Sequence, residues 1–271
     1  KIHLSGLVIS GYSSKSYHWS SVLSLGQWLQ NHDIPGIFGV DTRKLTKRLR
    51  EAGTLNGKII FDNFFPLIEE NCPFLVQEVS CKEVMTYGTG SKKVILVDCG
   101  VKHNIIRNLL KRNICVIRVP WNYDFFHLEF DGVVVSNGPG DPKVCHVTIT
   151  HIKKLLELGK PVLAICLGNQ LLALAAGGDT YKLRFGHRSQ NQPCIDRETR
   201  RCYITSQNHG YAVRSDRLPD GWKEWFVNAN DGTNEGIIHS TKPFMGVQFH
   251  PEASPGPTDT EFIFDHFVKL L

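Results

Sequence analysis

Short apolar runs alternate with amphipathic segments from residue 94 to residue 165. The runs are rich in β-branched residues, which is typical of strands covered on both faces. They occupy residues 94–97, 116–119, 132–135 and 162–165. Between them, and again over 262–271, apolar residues recur at helical spacing. This order predicts an α/β fold with a parallel or mixed sheet, right-handed crossovers and flanking helices.

The first ninety residues predict a smaller, separate mixed α/β domain. A strand is expected over 4–9, a helix over 22–29 and a second helix that Asp41 and Thr42 begin and Gly53 ends. Five cations lie on the second helix, and they form either a solvated face or a docking surface for an acidic partner: Arg43, Lys44, Lys47, Arg48 and Arg50. The glycine-rich loop 87–93 has linker composition. We therefore predict domains over 1–90 and 91–271.

Composition excludes several classes of protein. The 271 residues are 41% hydrophobic and 21% charged, with a net charge of +5, so neither disorder nor binding to nucleic acid or an anionic membrane is expected. No apolar run approaches the roughly 18 residues of a membrane-spanning helix. The first residues lack the features of a secretory signal, and we interpret the sequence as an excerpt or a processed chain. The eight cysteines show no zinc-knuckle spacing, which favours a reducing compartment and no metal site.

The strongest candidate for chemistry is Cys166, which follows the apolar run 162–165 and precedes a helix. Small residues, Ala164 and Gly168, stand two positions to either side of it. This is the layout of a nucleophile elbow, in which a tight turn lifts the nucleophile above the edge of a sheet. The helix that follows contributes free N–H groups and a positive dipole, which favour a thiolate. The alternative is a core thiol, which the position at a strand end disfavours.

Two further segments complete a candidate site. His250 and Glu252 follow the apolar run 246–249, and two residues of spacing places both side chains on one side of an extended segment. A thiolate that attacks an amide needs such a histidine and a group that orients it. Residues 136–142 hold two glycines around a proline directly after a predicted strand, which suits close approach of backbone N–H groups to a substrate.

Together these segments resemble the class I glutamine amidotransferase family, with Cys166, His250 and Glu252 on its triad in the same chain order. The resemblance extends to the glutaminase part of carbamoyl-phosphate synthetases, and eukaryotic fused forms are the most similar. The segments that carry it are 40–46, 97–102, 206–212 and 250–257. It implies hydrolysis of glutamine to glutamate and ammonia, and delivery of ammonia to a carbamoyl-phosphate synthetase large chain or fused synthetase domain. We expect a cytoplasmic location, with a mitochondrial one as the alternative.

The resemblance also assigns roles in substrate binding. The N–H groups of Leu167 and Gly140 would stabilise the oxyanion. The positions that hold glutamine in the family are matched by Gly138, Gln170, Asn208, Gly210 and Tyr211, although Gln170 and Asn208 also suit ordinary polar positions. No cofactor is implied for this chain, since the synthetase partner uses ATP, magnesium and bicarbonate. A glutamine-contacting serine of the family has no assignable counterpart here.

Two departures from the family pattern bear on activity. Ala164 replaces a glycine and Asn169 replaces a histidine. The extra methyl at residue 164 is tolerable if its φ is negative, while a change at Asn169 affects rate or coupling more than the chemistry. Two other functions therefore stay open. In the first, the chain is the glutaminase of another amidotransferase, such as the anthranilate or guanylate branch; those relatives generally lack the small domain. In the second, it is a non-catalytic regulatory scaffold.

Overall fold

The computed structural model describes residues 2, 4–52, 55–60 and 74–271. The chain separates into two compact units, residues 1–71 and 72–271. The division lies nearer the N-terminus than the boundary at residue 90 that composition predicts. The loop 87–93 lies within one unit, because the strands on either side of it, Met85–Tyr87 and Lys92–Asp98, both pair with the strand Ile114–Pro120.

The first unit is small and mixed, as the sequence predicts. Strands β1 (Leu7–Val8) and β2 (Gly36–Ile37) form a two-stranded parallel sheet. Helix α1 (Leu25–Gln30) begins with a capping box at Ser24, and helix α2 (Thr42–Ala52) begins where the Asp41 side chain accepts a hydrogen bond from the Lys44 N–H. The predicted strand over 4–9 is reduced to two residues, and Gly53 lies outside the described residues. All five cations of α2 are exposed.

The second unit contains ten strands and five α-helices among its described residues. In chain order they are α3 (Leu75–Val79), β3 (Met85–Tyr87), β4 (Lys92–Asp98), α4 (His103–Lys111), β5 (Ile114–Pro120), β6 (Gly132–Val135), α5 (His146–Leu158), β7 (Val162–Ile165), α6 (Leu167–Ala176), β8 (Thr180–Asp196), β9 (Cys202–Val213), β10 (Trp222–Asn228), β11 (Asn234–His239), β12 (Phe244–Val247) and α7 (Phe262–Val268). The four strands predicted from the runs and the four predicted helices of this region are present.

The ten strands form one mixed sheet, in the order β3-β5-β4-β6-β7-β12-β11-β10-β8-β9. Its centre, from β5 to β12, is parallel, and the strands beyond β12 are antiparallel. The predicted α/β fold with a mixed sheet and flanking helices is therefore confirmed. The carboxyl ends of the parallel strands meet at one edge, which is where α/β proteins bind ligands.

Both faces of the parallel centre are buried. Ile95 and Val97 of β4 lie in one hydrophobic cluster, while Val94 and Leu96 lie in the other, on the opposite face. This alternation explains the continuous apolar runs, since every residue of such a strand enters one core or the other. None of the helices in the described ranges combines the length and the apolar character needed to span a membrane.

Candidate active site

The junction of β7 and α6 places Cys166 in a strained backbone conformation. Its φ is 54° and its ψ is −105°, outside the regions that non-glycine residues normally adopt. Such strain costs on the order of 1–3 kcal/mol and is concentrated at functional sites. The Cys166 N–H donates to the Val247 carbonyl at 2.8 Å, which ties the turn to β12. The residue therefore has the elbow geometry that the sequence predicts.

Close packing explains the small residues beside the cysteine. A Cβ atom on Gly168 would lie 2.3 Å from the carbonyl oxygen of Val135, so only glycine lets α6 begin this close to β6. Ala164 lies inside β7, paired with Gly246 of β12, and has no positive φ. The methyl group of Ala164 is therefore compatible with the strand, and this departure from the family pattern is tolerated by the structure.

His250 connects the cysteine to a buried carboxylate. Its ring is close enough to Cys166 for the sulfur to influence its pKa, and its Nδ1 lies 2.7 Å from Oε1 of Glu252. The backbone N–H of His250 donates to the Ser206 carbonyl, which anchors the segment to β9. All three side chains of this triad are nearly inaccessible, with 4% or less of each residue exposed. The fold thus brings the elbow cysteine next to two residues that lie much later in the sequence.

The electrostatics of the triad favour a charged imidazole. Burial alone would lower the pKa of His250, but the charges of Glu252 and Cys166 and hydrogen bonds to both raise that pKa to about 9. Burial acts to raise the pKa of Glu252, yet the net shift is downward because the histidine and Lys102 stabilise the carboxylate. At neutral pH the site therefore holds an imidazolium between a carboxylate and a sulfur atom.

The loop after β4 and the first turn of α4 contact Glu252 and hold it in place. Lys102 Nζ lies 3.6 Å from Glu252 Oε1, and Asn104 Nδ2 donates to the Glu252 carbonyl. The loop is itself held by Asp98, a fully buried residue that accepts hydrogen bonds from its backbone and forms an ion pair with Arg118. Sequence reasoning missed this support, because Lys102 and Asn104 are remote from Glu252 along the chain.

The glycine loop after β6 lies against the same support. Gly140 has a φ of 94°, and no heavy atom lies within 4 Å of the position of a Cβ, so its backbone is left-handed and open to one side. The Asn137 side chain exchanges two hydrogen bonds with the backbone of the loop after β4. A Cβ on Gly138 would lie 2.7 Å from the Leu167 side chain, which places this loop next to the start of α6. The two predicted oxyanion donors, Gly140 and Leu167, are therefore on neighbouring segments.

The predicted glutamine contacts are brought together only in part. Gln170 Nε2 donates to the Tyr211 carbonyl at 2.9 Å and to Gln248 Oε1 at 3.1 Å, so it links α6 to β9. Gly210 precedes Tyr211 on β9. Asn208 is exposed on the same strand, and no hydrogen bond among the described residues joins its side chain to the triad. Its role in holding glutamine stays a prediction.

Asn169 is fully buried on α6. Neither polar atom of its side-chain amide has a hydrogen-bond partner among the described residues. A Cβ on Gly246 would lie 2.3 Å from Asn169 Oδ1, so the amide packs directly over β12. Asn169 does not touch the triad through any hydrogen bond in the described part of the chain, which agrees with a position outside the reaction itself.

The remaining described cysteines differ from Cys166 in their surroundings. Cys99, Cys145 and Cys194 are fully buried, and burial raises the pKa of the Cys145 thiol to about 12. No disulfide joins any of the seven cysteines in the described ranges, and Cys202 is the exposed one among them. Among the described cysteines, Cys166 is thus the one that combines an elbow with a neighbouring imidazole that its sulfur influences.

A second cluster of titratable side chains lies on the antiparallel strands. It consists of His187, His209, Asp231 and Glu235, and we refer to it as the His187 cluster. His187 lies 3.0 Å from Glu235 and 2.9 Å from Asp231. Burial would lower the pKa of His187, but these two carboxylates raise it to about 9. No local pattern in the sequence predicts this cluster, since its members are spread over three strands and a loop.

Two protein-family models match the chain. The family model of glutamine amidotransferase class-I matches residues 95–270, and that of the carbamoyl-phosphate synthase small chain, CPSase domain, matches residues 1–59. The glutamine amidotransferase of Thermotoga maritima has a similar fold, with a TM-score of 0.51 and 19% identity over 61% of this chain and 78% of that one. A candidate GMP synthase component from Thermoplasma acidophilum gives a TM-score of 0.59 and 24% identity over 66% of this chain and 93% of that one.

Two relatives match almost the whole chain. The multifunctional protein CAD of Squalus acanthias is 51% identical over 99% of this chain and 12% of its own length. The mitochondrial carbamoyl-phosphate synthase [ammonia] of Mus musculus is 48% identical over 100% of this chain and 18% of its own length. The chain therefore spans less than a fifth of either relative. Because the first family model covers most of its residues and the elbow, imidazole and carboxylate stand inside that match, the chain belongs to the class I glutamine amidotransferase family.

Proposed function

We propose that the chain hydrolyses glutamine to glutamate and ammonia with Cys166 as nucleophile, His250 as general acid and base, and Glu252 as the group that orients His250. The observation that carries this proposal is the strained elbow at Cys166 beside an imidazole whose Nδ1 lies 2.7 Å from a buried carboxylate. A core thiol would need neither the strained backbone nor the ion pair. The arrangement is the nucleophile, base and orienting group of covalent amide hydrolysis.

In the first half-reaction, the Cys166 sulfur attacks the side-chain amide carbon of glutamine and a C–S bond forms. Charge accumulates on the amide oxygen, where the N–H groups of Leu167 and Gly140 are proposed to stabilise it; one such donor contributes about 3–4 kcal/mol in other enzymes. The imidazolium of His250 gives its proton to the departing nitrogen as the C–N bond breaks. Ammonia leaves, and a thioester to Cys166 remains.

In the second half-reaction, neutral His250 accepts a proton from water, and the resulting hydroxide attacks the thioester carbon. The C–S bond breaks and the sulfur leaves as a thiolate, the new carboxylic acid gives its proton to solvent as glutamate departs, and the Cys166–His250 pair returns to its starting state. Glu252 stays ionised throughout, because its only task is to hold His250 in one orientation and to stabilise its charge. Burial of the triad keeps bulk water away from the thioester until ammonia has departed.

The ammonia is proposed to serve a carbamoyl-phosphate synthetase, either a separate large chain or a fused synthetase domain, and to reach it by channelling. This proposal is supported by the match of residues 1–59 to the small-chain domain and by relatives that are roughly five to eight times longer than this chain. Pyrimidine synthesis in the cytoplasm is the proposed setting. The mitochondrial relative makes a mitochondrial role the alternative.

The catalytic proposal is tested by covalent labelling. The chain is incubated with a glutamine analogue that carries an electrophilic carbon, and the adduct is located by mass spectrometry. We expect one adduct on Cys166, suppressed by excess glutamine and absent from Cys166→Ser. Cys202 is the internal control, because it is exposed but has no imidazole partner among the described residues. Labelling at Cys202 alone, or labelling that glutamine does not suppress, would contradict the enzyme function and favour a regulatory scaffold.

The choice of partner requires a separate measurement. Glutamine hydrolysis is followed with and without a carbamoyl-phosphate synthetase large chain, ATP and bicarbonate. A rise in the rate of glutamate release on addition of the complete mixture supports the proposed partner. An active glutaminase that is indifferent to this mixture would point to another amidotransferase.

A further inference from the structure

Three potential metal-binding atoms converge in the His187 cluster. Nδ1 of His187 lies 3.0 Å from Oε1 of Glu235, and Nε2 of His209 lies 3.7 Å from the same oxygen. All three side-chain donors lie within 4.8 Å of one another. The Glu235 side chain is fully buried, and the two imidazoles are 10% and 2% exposed. The cluster is therefore enclosed, with nitrogen and oxygen donors directed inward.

The outer nitrogen of each imidazole is fixed by an acceptor. Nε2 of His187 lies 2.9 Å from Oδ2 of Asp231, and Nδ1 of His209 lies 2.8 Å from the Tyr211 carbonyl oxygen. A carbonyl oxygen can only accept, so Nδ1 of His209 donates to Tyr211 and Nε2 is the ring nitrogen that faces the cluster. Metal-binding histidines are held in this way, with the distal ring nitrogen donating to a carboxylate or a backbone carbonyl.

The interior of the cluster has more acceptors than donors. Nε2 of His209 faces the Glu235 oxygen and also Oε1 of Gln207, at 3.2 Å; the Gln207 amide is oriented by its own hydrogen bond to Thr205. Oε2 of Glu235 is buried without a hydrogen-bond partner in the described ranges, and the amide of Asn228 reaches Oε1 only at 3.5 Å. The unpartnered carboxylate oxygen of Glu235, and the Nε2 of His209 that faces oxygen acceptors, would both be stabilised by a cation bound in the cluster.

We propose that the His187 cluster binds a zinc ion through Nδ1 of His187, Nε2 of His209 and the carboxylate of Glu235. Zinc bonds of about 2.0–2.1 Å separate tetrahedral ligands by roughly 3.4 Å, which falls between the 3.0 and 3.7 Å found here. Two imidazole nitrogens favour zinc over magnesium or calcium. A water molecule completes the coordination. The site joins β8, β9 and β11, which approach one another only in the folded chain.

A proton is the competing occupant of the site. In the metal-free chain, an imidazolium at His187 pairs with both Asp231 and Glu235. Zinc must displace that proton from Nδ1 to solvent, after which Asp231 still accepts the hydrogen bond from Nε2. The two states differ in what occupies the space between His209 and Glu235, and this difference can be measured.

The test is titration of the full chain, freed of metal, with zinc chloride, followed by calorimetry and by metal analysis after gel filtration. We expect one tight site per chain, release of one proton, and a rise in thermal midpoint. His187→Gln and Glu235→Gln should each weaken this site at least ~100-fold, and Asp231→Asn, at the exposed rim, about tenfold. The matched control is His127→Gln, which removes an exposed histidine elsewhere and should leave zinc affinity unchanged.

Cobalt substitution separates this site from adventitious binding to cysteines. A tetrahedral cobalt spectrum without the charge-transfer band of cobalt–thiolate bonds is expected. If His187→Gln does not fold, Asp231→Asn carries the comparison. Equal zinc affinity in the original chain, in His187→Gln and in Asp231→Asn, or a cobalt–thiolate band, would overturn the proposal. So would the absence of bound zinc together with a nitrogen NMR signature of imidazolium at His187, which would assign the cluster to the proton alone.

Discussion

The two halves of the large sheet each hold a buried imidazole beside a buried carboxylate, but the two pairs support different chemistry. His250 lies beside Glu252 at the parallel centre, and His187 lies beside Glu235 on the antiparallel strands. Both imidazoles have a pKa of about 9, raised against burial by carboxylates. The electrostatics of the two pairs are therefore alike.

The third group decides the chemistry of each pair. At the parallel centre it is the sulfur of Cys166, lifted by a strained turn at a strand end. On the antiparallel strands it is the second imidazole of His209, with the Glu235 carboxylate directed at the same point. A nucleophile beside an imidazolium supports covalent catalysis, whereas two imidazoles and a carboxylate support a metal ion. A raised pKa alone does not identify a catalytic histidine.

The largest effect should come from removing the nucleophile. Cys166→Ser is expected to lower the turnover number for glutamine hydrolysis by about 10⁴-fold or more, because loss of the nucleophile removes the covalent route. Zinc affinity should be unchanged, since sulfur 166 is not among the donors of the His187 cluster. Steady-state glutamate release measures the first and calorimetry the second. Residual turnover within roughly a hundredfold of the original would mean that another group attacks glutamine.

Removal of the orienting carboxylate should have the next largest effect. Glu252→Gln is expected to reduce turnover by about 10³–10⁴-fold, in line with orienting carboxylates of other triads. The pH profile gives a sharper signature. His250 must carry a proton to release ammonia, so activity should fall as pH rises through its pKa of about 9.

Without the Glu252 charge, burial would lower the pKa of His250, and this basic limb should move to lower pH. The matched control is Glu235→Gln, which removes a buried carboxylate from the other pair and should leave the limb in place. If the basic limb moves in both Glu252→Gln and Glu235→Gln, or in neither, the two imidazoles do not differ in their role in catalysis. Because His250 and Cys166 interact, the measured values belong to the pair.

A smaller effect is expected from Gly168→Ala. The added methyl would lie 2.3 Å from the Val135 carbonyl, so α6 must shift and displace the Leu167 N–H. A displacement of about 1 Å in a catalytic site can cost on the order of 10²-fold in rate. Gly159→Ala, directly after α5 and outside the site, is the comparison, because its methyl meets no atom within 4 Å and only the left-handed backbone is strained, at a cost of about 1–2 kcal/mol. Thermal unfolding and turnover measure both; equal losses of turnover would contradict the packing argument.

The sequence predicted the parallel half closely because its signals are local. Each central strand is a continuous apolar run, and Cys166 stands at the end of one of them, so the elbow was predictable from a short stretch of chain. His250 and Glu252 were predictable as a pair for the same reason, since both follow one strand at a spacing of two. The antiparallel strands carry mixed polar and apolar residues and show no comparable pattern.

Tertiary structure alone decided what these segments touch. Lys102 and Asn104 contact Glu252 only in the folded chain. The division between the units lies at residue 71. His187, His209 and Glu235 come together from three strands. The sequence determined which residues can carry chemistry and which strands are buried, because side-chain type and spacing act over a few residues. Contacts between strands depend on sheet order and register, which are set by packing over the whole chain.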